Sequence, residues 1–239
     1  MKIVVNPTYE HLRKFIESVP DTFEREGRII YSGRNLIKVM EVDGIEINVK
    51  RYGIPALANR IVYSFFRTPK GKRAFEYPQM LLQKGVETPA YIEERKCGLI
   101  NYSYFVSMQS PYQRNFYEFG NADVERCKDL IIAFAQYTAN LHQAGIMHRD
   151  YSPGNILFDR IDGEYHFMLV DIGEISVDMG CANFARLWGQ KAFFEMLAKE
   201  YAKARHADEA HCVERVLACR KKFWTYFAKK HMVKYKLEL

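Results

Sequence analysis

Six residues carry the chemistry this chain could perform. His148-Arg149-Asp150 is followed by Asn155, five positions after the carboxylate. An Asp on such a loop can accept or orient a hydroxyl proton, and the Asn supplies an oxygen for a metal. A second carboxylate, Asp171, ends the apolar run Leu169-Val170 and is followed by Ile172-Gly173, 21 residues after Asp150. Ionised, it would face the same metal, and Gly173 lets the chain turn away sharply. Lys50 closes the run Asn48-Val49-Lys50, and Glu76 lies 26 residues further on. An ammonium there can hold phosphate oxygens while the carboxylate orients it. Gly33, in Tyr31-Ser32-Gly33-Arg34-Asn35, is the one glycine placed to cover phosphates, with Arg34 and Lys38 as candidates for added charge. A cation, two metal ligands and a proton acceptor are the parts that phosphoryl transfer from a nucleoside triphosphate requires.

The elements that must position these groups can be read from periodicity. Residues 8–19 place Leu12, Phe15, Ile16 and Val19 on one helical face, and Pro20 is expected to stop that helix. Three strands follow, around Ile29-Tyr31, Leu36-Met40 and Ile45-Lys50, with turns at Ser32-Asn35 and Val42-Gly44. Residues 70–84 read as helical, with Phe75, Met80 and Leu81-Leu82 on an apolar face and Pro78 interrupting or opening it. Two more strands, Ala90–Glu94 and Leu99–Met108, meet at Lys96-Cys97-Gly98. Thereafter the pattern is mostly helical: 123–143 with Leu130, Ile131, Phe134, Thr138 and Leu141 on one side, then 183–204 and 209–230. Between them a strand pair, Asn155-Phe158 and His166-Val170, turns at Asp162-Gly163.

Composition sets outer bounds. The chain has 239 residues, 48% hydrophobic and 27% charged, with a net charge of +6. This is one sizeable globular unit or two small lobes, with a bias toward anionic partners. No apolar run reaches the roughly 18 residues needed to span a bilayer. The apolar stretch Ile3-Val4-Val5 is too short for a secretory signal, so a cytoplasmic location is expected. Cys97, Cys127, Cys181, Cys212 and Cys219 are odd in number and form no C-x-x-C pair, which points to reduced thiols.

His148-Arg149-Asp150 to Asn155 matches the kinase catalytic loop H-R-D-x-x-x-x-N, and Asp171-Ile172-Gly173 resembles its magnesium-binding Asp-Phe-Gly. Lys50 resembles the lysine of the Val-Ala-Ile-Lys strand. More closely, the chain resembles the bacterial lipopolysaccharide core kinase family (Kdo/WaaP type). The carriers are Asn48-Val49-Lys50-Arg51, Asn59 to Arg67, Lys72 to Tyr77, Gly85-Val86-Glu87-Thr88-Pro89, the catalytic loop and Asp171.

The resemblance implies an α+β, bilobal protein-kinase-like fold. Its first lobe, about residues 1–109, is an antiparallel sheet with one main helix; its second, about 110–239, is mostly helical; together they make a single domain. It implies Asp150 as the catalytic base, Lys50, Glu76 and Gly33 as the ATP site, and Asn155 and Asp171 as magnesium ligands. The implied acceptor is a sugar of a glycolipid at the inner face of the cytoplasmic membrane. Two departures from protein kinases agree with a non-peptide acceptor. Ser152 stands where serine/threonine kinases have a lysine, and no Ala-Pro-Glu motif follows Asp171. Glu174 adds a carboxylate beside Asp171.

Two basic-aromatic stretches, Arg60 to Arg73 and Arg220 to Lys230, could rest on an anionic membrane surface or hold a phosphorylated glycan. Both also fit ordinary amphipathic helices. An atypical protein kinase and a nucleotide-binding scaffold remain as alternatives; nucleic acid is not an expected partner, because it would not need the catalytic set.

Overall fold

Alternating apolar residues and three tight turns shape the first half of the chain. In the computed structural model, strand β1 (Lys2–Val5) precedes helix α1 (Arg13–Thr22), and β2 (Arg28–Ser32), β3 (Asn35–Val42) and β4 (Ile45–Tyr52) follow. Helix α2 (Leu57–Phe65) comes next, then β5 (Ala90–Lys96) and β6 (Leu99–Met108). The strands form one antiparallel sheet in the order β1-β5-β6-β4-β3-β2. The structure describes residues 1–66, 68, 71–72, 74–76, 90–145, 147–148, 150–170 and 180–231. The chain divides into two compact units, Met1–Pro111 and Tyr112–Leu239.

Three tight turns, two of them in the first unit, share one backbone solution. Asp43-Gly44, Cys97-Gly98 and Asp162-Gly163 all have positive φ at both central residues, between 51° and 87°. This geometry matches the twist of the paired strands, and glycine adopts it without steric cost.

The sheet of the first unit has two working faces. On one, Ile47, Val49, Ala90, Ile92, Tyr104 and Val106 pack against Leu12, Ile16, Val19 and Phe23 from α1 and its flanks. On the other, Tyr52, Tyr91 and Phe105 pack against Ala74 and Phe75, which lie in the helical residues 74–76. Lys50 stands opposite Ile37 on β3 and Phe105 on β6. Side chains alternate along a strand, so Lys50 belongs to the second face, with Tyr52 and Phe105. Of the helix expected over 70–84, Pro78 and Met80 to Leu82 lie outside the described residues.

Three expectations need correction here. Pro20 does not stop α1, which continues to Thr22. Val19 and Phe23, on either side of Pro20, are fully buried, and the Phe23 N–H reaches the Val19 carbonyl at 2.9 Å; packing thus carries the turn past the proline. Residues 59–65 belong to a helix, and Lys2–Val5 forms a sheet strand, neither of which the periodicity had signalled. Lys38 is not a phosphate ligand. It lies opposite Val49, on the α1 face and away from the Lys50 face. There its buried ammonium donates to the carbonyls of Phe23, Glu24 and Glu26, the last two at 3.2 and 3.0 Å. It closes the chain beyond α1 as a C-terminal cation.

The second unit is built on aromatic packing. Helices α3 (Lys128–Gln143), α4 (Lys191–Arg205) and α5 (Glu209–His231) accompany a small sheet of β7 (Arg114–Asn115), β8 (Ile156–Ile161) and β9 (Glu164–Leu169). Leu130, Phe134, Thr138 and Leu141 form the buried stripe of α3. Phe134 meets Phe116, Tyr151 and Phe167 with ring centroids 4.2 to 5.7 Å apart.

Replacing Lys38 by Met leaves three carbonyls without their ammonium. Stability is expected to fall by about 2–3 kcal/mol, read as a lower urea midpoint at unchanged slope. ATP affinity should not move in a calorimetric titration.

Candidate active site

The loop after α3 is fixed from beneath before its polar groups are presented. Gly145, with φ of 72°, turns the chain off the helix. His148 is buried, and its Nδ1 accepts the Asp150 N–H at 3.1 Å. Tyr151 is fully buried; its hydroxyl lies 2.8 Å from Thr138 Oγ1 and its ring stacks on Phe134. Pro153 opens a 3₁₀ turn, Pro153–Asn155, in which the Asn155 N–H reaches the Ser152 carbonyl at 2.9 Å.

Asp150 and Asn155 are brought together by this turn. The Asn155 amide nitrogen donates to the Asp150 carbonyl at 2.9 Å. That bond uses the nitrogen, so the amide oxygen is the atom left to act as a ligand. The Asn155 carbonyl accepts the Val170 N–H at 3.0 Å, which ties the turn to the residue just before Asp171. Asp171 itself, like Arg149 and Glu174, lies outside the described residues. By donor chemistry, an amide oxygen from Asn155 and a carboxylate from Asp171 would make an oxygen-only set, the kind that suits a hard divalent cation such as magnesium.

The Asp150 carboxylate also has a partner that sequence reasoning missed. Arg186 donates from Nη1 to Asp150 Oδ1 at 2.7 Å. Its guanidinium sits 5.2 Å from the Phe223 ring centroid on α5. The sequence pattern had run residues 183–204 together as one helix. Instead, a 3₁₀ segment, Gly180–Arg186, stops short of α4. Phe184, Ala185 and Leu187 are buried around Arg186, so its backbone is fixed while its side chain reaches the carboxylate. The one available signal was Ser152, which left the Asp150 carboxylate without the nearby cation that protein kinases carry at that position.

In the first unit, Lys50 is only 8% exposed, and its ammonium lies 5.1 Å from the Tyr52 ring centroid. A lysine is rarely that buried without a specific role for its charge. Glu76 follows Phe75, which packs on the Lys50 face of the sheet, and it forms an exposed ion pair with Lys72 at 3.3 Å. Gly33 sits in the β2–β3 turn, where its N–H reaches the Asn35 carbonyl at 3.0 Å. A side chain at Gly33 would collide with the Tyr31 ring.

Solved structures show the same fold. WaaP in complex with acyl carrier protein aligns with a TM-score of 0.59 at 15% identity, over 93% of this chain and 99% of that one. The microcompartment-associated aminopropanol kinase aligns with a TM-score of 0.52 at 9% identity, over 86% of each chain. No curated protein sequence matches. The fold class is therefore α+β and protein-kinase-like. The lipopolysaccharide kinase (Kdo/WaaP) family matches residues 59–182, just over half of the chain, and the chain belongs to that family. It is a kinase that uses an alcohol hydroxyl as acceptor.

Behind Arg186, a half-buried histidine holds the 3₁₀ segment. His142 Nε2 lies 3.2 Å from the Asn183 amide nitrogen and Nδ1 lies 2.8 Å from the Tyr201 hydroxyl. Asn183 donates, so Nε2 carries no proton and Nδ1–H faces Tyr201. Burial, and then the charge of Arg205, push the His142 pKa down from 6.5 to about 4. A depressed histidine pKa stabilises the fold above the unfolded value and loses that stability as pH falls toward the folded value. Acidification from pH 7 to 5 should therefore cost about 2 kcal/mol through this group. Urea midpoints at the two pH values should differ less in His142→Gln than in the wild type.

Proposed function

We propose that this chain transfers the γ-phosphate of ATP to a hydroxyl on a sugar of the lipopolysaccharide inner core. The observation that carries this reading is the loop in which Asp150 is held through its N–H, its carbonyl and its carboxylate by His148, Asn155 and Arg186. Ser152 and the missing Ala-Pro-Glu motif speak for an acceptor other than a peptide, and so does the family. The two compact units are, in this reading, the lobes of one kinase domain spanning residues 1–239. It works in the cytoplasm, at the inner face of the membrane that carries its acceptor.

Asp150 receives the proton of the acceptor hydroxyl as that oxygen bonds to the γ-phosphorus. The bond from γ-phosphorus to the bridging oxygen breaks, and ADP leaves. Arg186 holds one carboxylate oxygen, so the other is aimed at the acceptor. Lys50 binds the α and β phosphates, Glu76 orients Lys50, and the Gly33 turn covers the nucleotide. Asn155 and Asp171 hold magnesium, which supplies neutralising charge to the phosphates when bound. Positioning and electrostatics thus account for most of the catalysis, as phosphoryl transfer demands.

Asp150→Asn should keep ATP affinity within a few fold and lose about 10²- to 10⁴-fold in transfer rate, because Asp150 meets the acceptor and not the nucleotide. The assay is phosphate transfer from labelled ATP to delipidated core oligosaccharide, beside calorimetric ATP binding. Transfer to generic proteins but to no glycan would replace this reading with a protein kinase.

Arg186→Met should lower kcat by about 10- to 100-fold at nearly constant KM for ATP, with part of the loss recovered in Arg186→Lys. An Arg186 that only braced the fold would show a lower urea midpoint instead, and no rescue by lysine.

A further inference from the structure

Helix α2 turns a polar edge to the sheet and leaves an apolar stripe in water. The side turned toward the protein is polar. Arg60 donates from Nε to the Ile100 carbonyl at 2.8 Å, and Ser64 Oγ accepts the Ile100 N–H at 2.8 Å. These residues are one turn apart, so they clamp a single residue of β6 from one face of the helix. The neighbouring face, about 100° round the helix, is apolar and exposed. Leu57, Ile61 and Phe65 recur every four residues along it, at 64%, 43% and 65% exposure. Val62 lies beside them, and Phe66, just beyond the helix end, is 82% exposed. No residue of α2 is buried. Water-facing apolar stripes of this kind mark a surface that meets a partner.

The charge around the helix identifies that partner. Between Glu46 and Glu76 the sequence has no carboxylate. Lys50, Arg51 and Arg60 are engaged within the unit, and Arg67, Lys70, Lys72 and Arg73 follow the helix in sequence. A second copy of the chain would bring an equally basic stretch to the same face and be repelled. An apolar stripe followed in sequence by a basic run suits an anionic lipid surface, where the stripe enters the acyl boundary and basic side chains meet headgroups.

We propose that α2 docks this kinase on anionic bilayers through Leu57, Ile61 and Phe65. The proposal deepens the reading of a lipid-borne acceptor, and it can be tested without any acceptor. The full chain is floated with phosphatidylcholine vesicles, with and without phosphatidylglycerol, at low and high salt. The wild type should float with the anionic vesicles and less so at high salt. In the triple variant Leu57→Ser, Ile61→Ser, Phe65→Ser, vesicle binding should fall by about tenfold or more, while the urea midpoint and ATP affinity stay unchanged. Equal flotation of variant and wild type would overturn the proposal, as would a wild type that ignores anionic vesicles. So would a wild-type dimer in sedimentation that the variant converts to monomer, or retention by purified acyl carrier protein that the variant alone loses. None of these outcomes bears on transfer by Asp150, which is measured on soluble oligosaccharide.

Discussion

The carboxylate of Asp150 is useful only if it cannot wander, and the second unit is organised around that constraint. Its residue is tied at the N–H to His148, at the carbonyl to Asn155 and at the carboxylate to Arg186. Each tie leads back to buried structure. His148 is itself buried, Asn155 continues into β8, and Arg186 is framed by Phe184, Ala185 and Leu187. Tyr151, next to Asp150, is locked between Thr138 and Phe134 of α3. In the catalytic role proposed for it, a group so held would meet its acceptor without the reorganisation that water would require, which is where a preorganised site gains most of its rate.

The first unit solves a different problem, the placement of an ammonium on an apolar sheet. The period of two along β4 sends Val49 and Lys50 to opposite faces. One face is sealed by α1 and keeps Lys38 as a structural cation. The other carries Lys50, Tyr52 and Phe105, with Phe75 packed over them. Two lysines near each other in the sheet thus do unrelated work, and the strand register alone separates them.

The net charge of +6 is likewise divided by use. Arg51 stacks over Phe23 and Tyr102 and pairs with Glu24, Arg220 stacks over Phe194 and donates to the Gly189 carbonyl at 2.9 Å, and Arg60 anchors α2. Much of the basic character therefore belongs to packing. The Arg220–Lys230 stretch shows this well: it lies within α5, with Arg220 and Trp224 buried. The stretch that begins at α2 differs because, among the described residues, the apolar side chains Leu57, Ile61 and Phe65 stay exposed, and a run of cations follows them in sequence. Among the described residues, no helix is long and apolar enough to cross a membrane.

The chain by itself determined the elements whose signals are local. Asp-Gly turns, the alternation along β3 and β4, the stripe on α3 and the spacing from Asp150 to Asn155 each arise within a few residues, so short-range sterics and periodicity reveal them. Tertiary structure alone decided what depends on partners distant in sequence. Lys38 became a helix-closing cation because β3 runs beside the end of α1. Pro20 stayed inside a helix because Val19 and Phe23 are buried across it. Arg186 joined Asp150, 36 residues away, because a 3₁₀ segment ends where a helix was expected, stacked on Phe223 of α5. The exposed stripe of α2 was hidden for the same reason. An amphipathic pattern states that a helix has two faces, and only the hydrogen bonds to Ile100 determine which of them turns inward.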